Sequence, residues 1–146
     1  MPSHITTTGI NHIRLTVTDI GRSREFYTQV LGFEIALEPQ SGDDPAARAV
    51  NAMLFGGVVF QTNGMLFGLR PVAPGGDRFN EDRVGLDHLS FSVGSRDDLE
   101  QAARLLDERG APHGDIKDLG PDSKLYILEF RDPDNIQLEL SAPYSR

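Results

Sequence analysis

Apolar and polar residues alternate along Gly9–Val17 (Gly-Ile-Asn-His-Ile-Arg-Leu-Thr-Val), and the alternation returns along Gly85–Val93 (Gly-Leu-Asp-His-Leu-Ser-Phe-Ser-Val). A period of two is that of a half-buried β-strand. In the first copy Ile13, Leu15 and Val17 can face a core while His12, Arg14 and Thr16 face the other way. In the second, Leu89, Phe91 and Val93 oppose His88, Ser90 and Ser92. His12 and His88 occupy the same slot, so two equivalent strands, each led by a histidine, are expected to line one cavity.

After each strand the period becomes helical. Asp19 stands as an N-cap before Arg22–Leu31, where Phe26, Tyr27, Val30 and Leu31 share a face, and Gly32 takes the C′ position. Phe33–Glu38 is predicted to return as a strand and Pro39–Ala47 to form a surface loop. Ala52–Gln61 and Met65–Arg70 then make a hairpin turned by Thr62-Asn63-Gly64, and Val72–Arg83 is a connector. The second half repeats the order. Ser95 and Asp98 form a capping box, Leu99, Ala102, Ala103 and Leu106 a helical stripe, and Gly110 a stop. A short strand near Gly114–Leu119 precedes a hairpin of Leu125–Phe130 and Asn135–Leu140 across Arg131–Asp134. The pattern therefore predicts an α+β chain, a single domain over 1–146, built by duplication of a βαβββ module at 9–71 and 85–141. The first half is the longer, and the Pro39–Ala47 loop absorbs the difference.

Composition narrows the function more than the fold. At 146 residues the chain is one compact unit, or two small modules sharing a core. Its 22 acidic against 14 basic residues give a net charge of −8, which excludes a nucleic-acid footprint. With no cysteine, disulfides, thiolate metal sites and thiol catalysis are excluded. No apolar run suits a signal segment or a membrane span, so a cytoplasmic location is expected.

The last strand carries the remaining chemistry. Alternation sets Asn135, Gln137 and Glu139 against Ile136, Leu138 and Leu140. A carboxylate flanked by leucines in a short strand is costly unless paired, solvated or metal-bound. If the two halves are related by a pseudo-twofold axis, His12 and His88 are mates and Glu139 lies on a strand beside them. Two imidazoles and a carboxylate with open positions suit Fe(II), and also Mn, Zn, Ni or Co. The alternative is two hydrogen-bonded strand histidines and a solvated glutamate. Arg14 and Glu129 should both point into the cleft. There Glu129 could serve as a general base and Arg14 as a clamp for an anionic substrate group, or the two could simply neutralise each other. Arg70 continues the Gly68 face, Gln137 shares the face of Glu139, and His4 and His113 are read as tail and loop residues.

Several motifs resemble the vicinal oxygen chelate superfamily, the glyoxalase I, fosfomycin-resistance, extradiol dioxygenase and bleomycin-resistance group. They are Asn11-His12-Ile13, Phe26-Tyr27 with Leu31-Gly32-Phe33, Asp87-His88-Leu89, and Asp132-Pro133-Asp134-Asn135-Ile136-Gln137-Leu138-Glu139-Leu140. The resemblance implies paired modules curling a mixed sheet into a cleft, with His12, His88 and Glu139 as ligands of one divalent metal ion. It also implies a small-molecule substrate and a homodimer whose sites are shared between subunits. The fourth ligand slot of glyoxalase I holds Gly68 here, and a tyrosine usual in the dioxygenase and fosfomycin families is replaced by Glu129. Arg14 likewise stands where fosfomycin enzymes carry a small hydroxyl residue. The reading is a metal-dependent dioxygenase- or lyase/isomerase-like enzyme. A metal-free antibiotic-sequestering protein and a fosfomycin-type thiol transferase are the alternatives.

Overall fold

In the computed structural model, which describes residues 3–145, eight strands and four helices follow one another twice in the same order. The first half runs β1 (His12–Thr16), α1 (Ile20–Gln29), β2 (Glu34–Leu37), α2 (Pro45–Leu54), β3 (Val58–Thr62) and β4 (Met65–Arg70). The second runs β5 (Leu89–Ser92), α3 (Arg96–Glu108), β6 (Lys117–Asp118), α4 (Gly120–Ser123), β7 (Leu125–Arg131) and β8 (Gln137–Pro143). Each half makes a four-stranded mixed sheet, ordered β1-β4-β3-β2 and β5-β8-β7-β6. In both, the first strand lies parallel to the last, and the other pairs are antiparallel. The expected α+β class and mixed sheets are borne out, and neither sheet closes into a barrel.

Local chemistry explains the helices. Asp19 caps α1 by accepting from the Arg22 N–H, and Ser95 caps α3 by accepting from the Asp98 N–H at 3.3 Å. One element departs from the sequence reading. Where a loop and the start of a strand are expected, Pro45–Leu54 is the helix α2. Asp44 accepts from the Ala47 N–H at 3.0 Å, Pro45 fills the first turn, and the alanine-rich run after it favours helix. α2 ends at Phe55 in the left-handed region, and Gly56-Gly57 then carries the chain into β3. Gly57 admits no side chain, since a Cβ there would lie 1.8 Å from the Leu69 carbonyl oxygen. α4 is far shorter, so the extra length of the first half resides in α2 rather than in a loop.

A single core joins the two sheets. Leu15, Val17, Phe60, Phe67 and Leu69 of the first half share it with Leu128, Phe130, Leu138 and Leu140 of the second. Phe91 meets Phe33 at 5.6 Å and Phe67 at 6.0 Å between ring centroids, while Phe26 of α1 lies 6.4 Å from Phe130. The ends of α1 (Val30, Leu31) and α3 (Ala102, Leu106) pack into the same region. A buried polar tie crosses it as well. Tyr27 donates to Asp132 at 2.9 Å, and the turn carrying Asp132 also places Asp134 to accept from Thr18 and Arg22. Strand alternation therefore aims the opposite faces, one with His12 and the other with His88, away from the common core on either side.

Candidate functional site

The open face of the first sheet is a shallow cavity of about 250 Å³. Its walls are His12, Ile13 and Arg14 of β1, Leu37 of β2, Val59 of β3, Leu66 and Gly68 of β4, and Met53 of α2. Arg14 and Gly68 are cross-strand partners, and the arginine stem lies over the glycine. A Cβ at position 68 would sit 3.1 Å from the Arg14 Cγ, so a side chain there would require the arginine stem to shift. Arg14 donates to the Met53 carbonyl at 2.6 Å, at the C-terminal, negative end of α2. Its guanidinium carbon stands 5.9 Å from the Phe55 ring centre, and that of Arg70 stands 4.3 Å from it.

On the open face of the second sheet, His88, Glu139 and Glu129 come together. Ser90 pairs with Glu139 across β5 and β8, and Glu139 with Glu129 across β8 and β7. His88 Nε2 lies 3.7 Å from Glu139 Oε2. Glu139 is buried, at 7% exposure, yet its hydrogen bonding is thin. Ser141 Oγ donates to it at 3.2 Å, and that hydroxyl in turn meets Ser90 Oγ. A buried carboxylate so sparsely paired is costly without a further cation. Glu129 instead pairs with Lys117 at 3.3 Å. Gln137 shares the face and is also buried.

Each histidine is oriented by the residue before it. His12 Nδ1 lies 2.8 Å from Asn11 Oδ1, and His88 Nδ1 lies 2.6 Å from Asp87 Oδ1. In the neutral ring, an Nδ1–H donated there leaves Nε2 with its lone pair, the tautomer that metal-binding histidines use. The Asp87 hydrogen bond pulls the His88 pKa above its ordinary value against the opposing effect of desolvation, with Glu139 and Glu129 adding to the rise. Asn11 and Asp87 escape a reading based on ligands alone. Their signal is nonetheless written twice, as an amide or acid immediately before each repeated histidine.

The sequence expectation of one cavity lined by both histidines is corrected within a single chain. His12 and His88 lie on different sheets whose open faces turn apart, and among the described residues no three His, Cys, Asp or Glu side chains gather as a metal site. The same separation removes the expected neutralisation of Arg14 by Glu129, since each has its own partner. A donor set of His88 and Glu139 does suit a shared ion. Two ligands with bonds of about 2.0–2.2 Å lie at most about 4.4 Å apart, and this pair lies within that. His113 is held by Asp107 at 2.9 Å, which raises its pKa, and lies outside both faces, as does His4. No helix among the described residues is long and apolar enough to cross a membrane.

Comparison with known proteins agrees with this fold. The family model of the Glyoxalase/Bleomycin resistance protein/Dioxygenase superfamily matches residues 9–140. The uncharacterized protein YwkD of Bacillus subtilis (strain 168) is 30% identical over 131 residues, covering 90% of this chain and 94% of that one. A glyoxylase/bleomycin resistance protein/dioxygenase domain from Frankia sp. EAN1pec superposes with a TM-score of 0.74 at 31% identity, covering 96% of this chain and 95% of the other. A mutant of the genomically encoded fosfomycin resistance protein FosX of Listeria monocytogenes was solved with Mn(II) and 1S,2S-dihydroxypropylphosphonic acid. It shares the fold at a TM-score of 0.72 and 16% identity, over 95% of each chain.

Proposed function

This chain belongs to the Glyoxalase/Bleomycin resistance protein/Dioxygenase superfamily, and we propose that it is a divalent-metal-dependent enzyme acting on a small oxygenated substrate. The observation that carries this reading is the buried, under-bonded Glu139 facing the free Nε2 of His88. His12, with the same prepared Nε2, completes the ligand set from a second copy of the chain. Two features support that arrangement. β1 and β5 are both edge strands with one side unpaired. Beside them, Ile10 and Leu86, which hold the same slot in the repeat, are 75% and 49% exposed. A twofold dimer that sets β1 of one chain against β5 of the other covers both edges and builds two equal sites.

A divalent ion held there supplies Lewis acidity toward the oxygens of a chelating substrate. The work of the protein is around it. Asn11 and Asp87 keep the imidazoles in the ligating tautomer. Arg14, fixed on the α2 carbonyl, binds an anionic group of the substrate. Glu129, on the face of His88 and Glu139 and paired with Lys117, holds or accepts a proton. Either a dioxygenase-like or a lyase/isomerase-like outcome uses these parts. The superfamily also contains binding proteins, and the net charge of −8 favours sequestration of a cationic antibiotic as the second reading.

Metal content decides between them. Purified protein is expected to hold one equivalent of Mn, Fe, Co, Ni or Zn per chain, and the His12→Ala and His88→Ala variants are each expected to lose it. Co-expressed in equal amounts, the two variants form mixed dimers in which one of the two sites is intact, so about a quarter of the wild-type metal returns. No recovery on mixing would refute the shared site. A wild-type chain that takes up no metal would refute the enzyme and leave the binding protein.

A further inference from the structure

Resting on the metal-dependent reading, we infer that the cavity beside His12 seats a compact apolar group of the substrate, a single aromatic ring or a branched alkyl chain. The substrate class is thus a vicinal oxygen chelator with an apolar body rather than a wholly polar oxyanion. Three observations carry this. The cavity walls are apolar on five different elements, with Ile13, Leu37, Val59, Leu66 and Met53 around it, and His12 and Arg14 supply the polar side chains among its described lining residues. Two of these walls, Leu66 and Met53, are 43% and 48% exposed, so apolar surface stands ready to be covered by a ligand. The volume, about 250 Å³, exceeds the roughly 150 Å³ of an engineered apolar cavity that accepts benzene.

The absence of a side chain at Gly68 enters the same argument. It lets the Arg14 stem lie flat on β4 and reach the Met53 carbonyl, so the arginine lines the cavity instead of projecting from a side chain at position 68. His12 borders the cavity, so a substrate chelated at that histidine has its substituent beside the apolar walls. A polar headgroup in that position would leave five apolar side chains in contact with water, and an apolar one removes them from it.

Hydroxamates test this directly, because they chelate through two adjacent oxygens while the attached group can be varied. Calorimetric titration of the metal-loaded protein with benzohydroxamate and acetohydroxamate reads the contribution of the ring. Benzohydroxamate is expected to bind tighter by about tenfold or more, and to shift the methyl NMR signals of Leu37, Val59 and Leu66. Val59→Phe fills the cavity and is expected to bring the ratio near one with metal content retained. Leu66→Gln, at a half-exposed position, should lower the ratio and serves if the first variant does not fold. Equal binding of the two probes by metal-loaded wild type, or an undiminished ratio in the folded variants, would overturn the inference and leave the metal site standing. Failure to take up metal would overturn both.

Discussion

Replacing Tyr27 by Phe isolates the tie between the two halves. The ring stays in place among Phe26, Phe33, Phe60 and Phe67, and only the hydroxyl that donates to Asp132 is lost. Both partners are buried, at 0% and 4% exposure, so water cannot substitute. Asp132 also accepts the Asp134 and Ile136 N–H groups at 2.9 and 2.8 Å, yet burial, reinforced by the Asp134 charge, lifts its pKa to about 6. The folded chain thus keeps a proton that the unfolded chain releases near pH 4, and stability from this group falls as pH rises from about 4 to 6. Above pH 7 Asp132 is ionised, and losing a hydrogen bond to a charged acceptor costs about 1.5–3 kcal/mol. At pH 5 the acceptor is mostly neutral, and the loss should drop to about 0.5–1.5 kcal/mol. Tyr27→Phe also removes one of the interactions that lower the Asp132 pKa, so the variant should continue to lose stability to a higher pH than wild type. Urea unfolding of both proteins at pH 5 and pH 8, followed by circular dichroism, measures the two differences. Equal destabilisation at both pH values, or none at pH 8, would refute an ionised Asp132 as the acceptor.

Two further substitutions probe the frame around the cleft. Gly57→Ala forces a Cβ into the Leu69 carbonyl and should either prevent soluble expression or lower the melting temperature far more than Gly75→Ala, which meets no neighbour and needs no left-handed backbone. Comparable melting temperatures for the two would contradict the close approach of β3 and β4. Glu81→Gln breaks a two-pronged pair with Arg131, at 3.0 and 2.6 Å, that tethers the 72–83 connector. The Arg131 hydrogen bond lowers the Glu81 pKa to about 2, so this tether acts in full above pH 4.5 and is lost as pH falls toward 2. Trypsin should therefore cut the variant after Arg83 faster than wild type at pH 8, and an unchanged rate would count against the tether.

What was legible in the sequence and what was not divides along a physical line. Alternation over His12–Thr16 and Leu89–Ser92 reports which side chains share a face of their own sheet, because that depends only on the two-residue pleat. The assignments of Leu15, Phe91 and Leu138 to the core, and of His12, Gly68 and Glu139 to the other face, follow from it. α2 escapes the sequence reading because Pro39–Asp44, immediately before it, is rich in turn residues and reads as the start of a longer loop. Its signal is local, the Asp44-Pro45 start followed by alanines. The duplicated Asn11-His12 and Asp87-His88 pairs were equally local and show their meaning only when the Nδ1 contacts are seen.

How the two sheets face each other is a different kind of information. It is set by long-range packing of Phe33 and Phe67 against Phe91, of Phe26 against Phe130, and by the buried Tyr27–Asp132 bond. None of these contacts has a period in the sequence. Had the polar faces met within one chain, the apolar faces would have needed other cover. Instead the apolar faces bury each other, which leaves the His12 face and the His88 face on opposite sides of the core, each with an unpaired strand edge beside it. The duplication therefore accounts for both the repeated histidine and its separation. On the proposed reading, the two copies of the module, joined through their apolar faces, carry complementary halves that a second molecule brings together. On this view His12 contributes to a site it does not share with the His88 of its own chain, and that is the feature the mixed-variant metal measurement isolates.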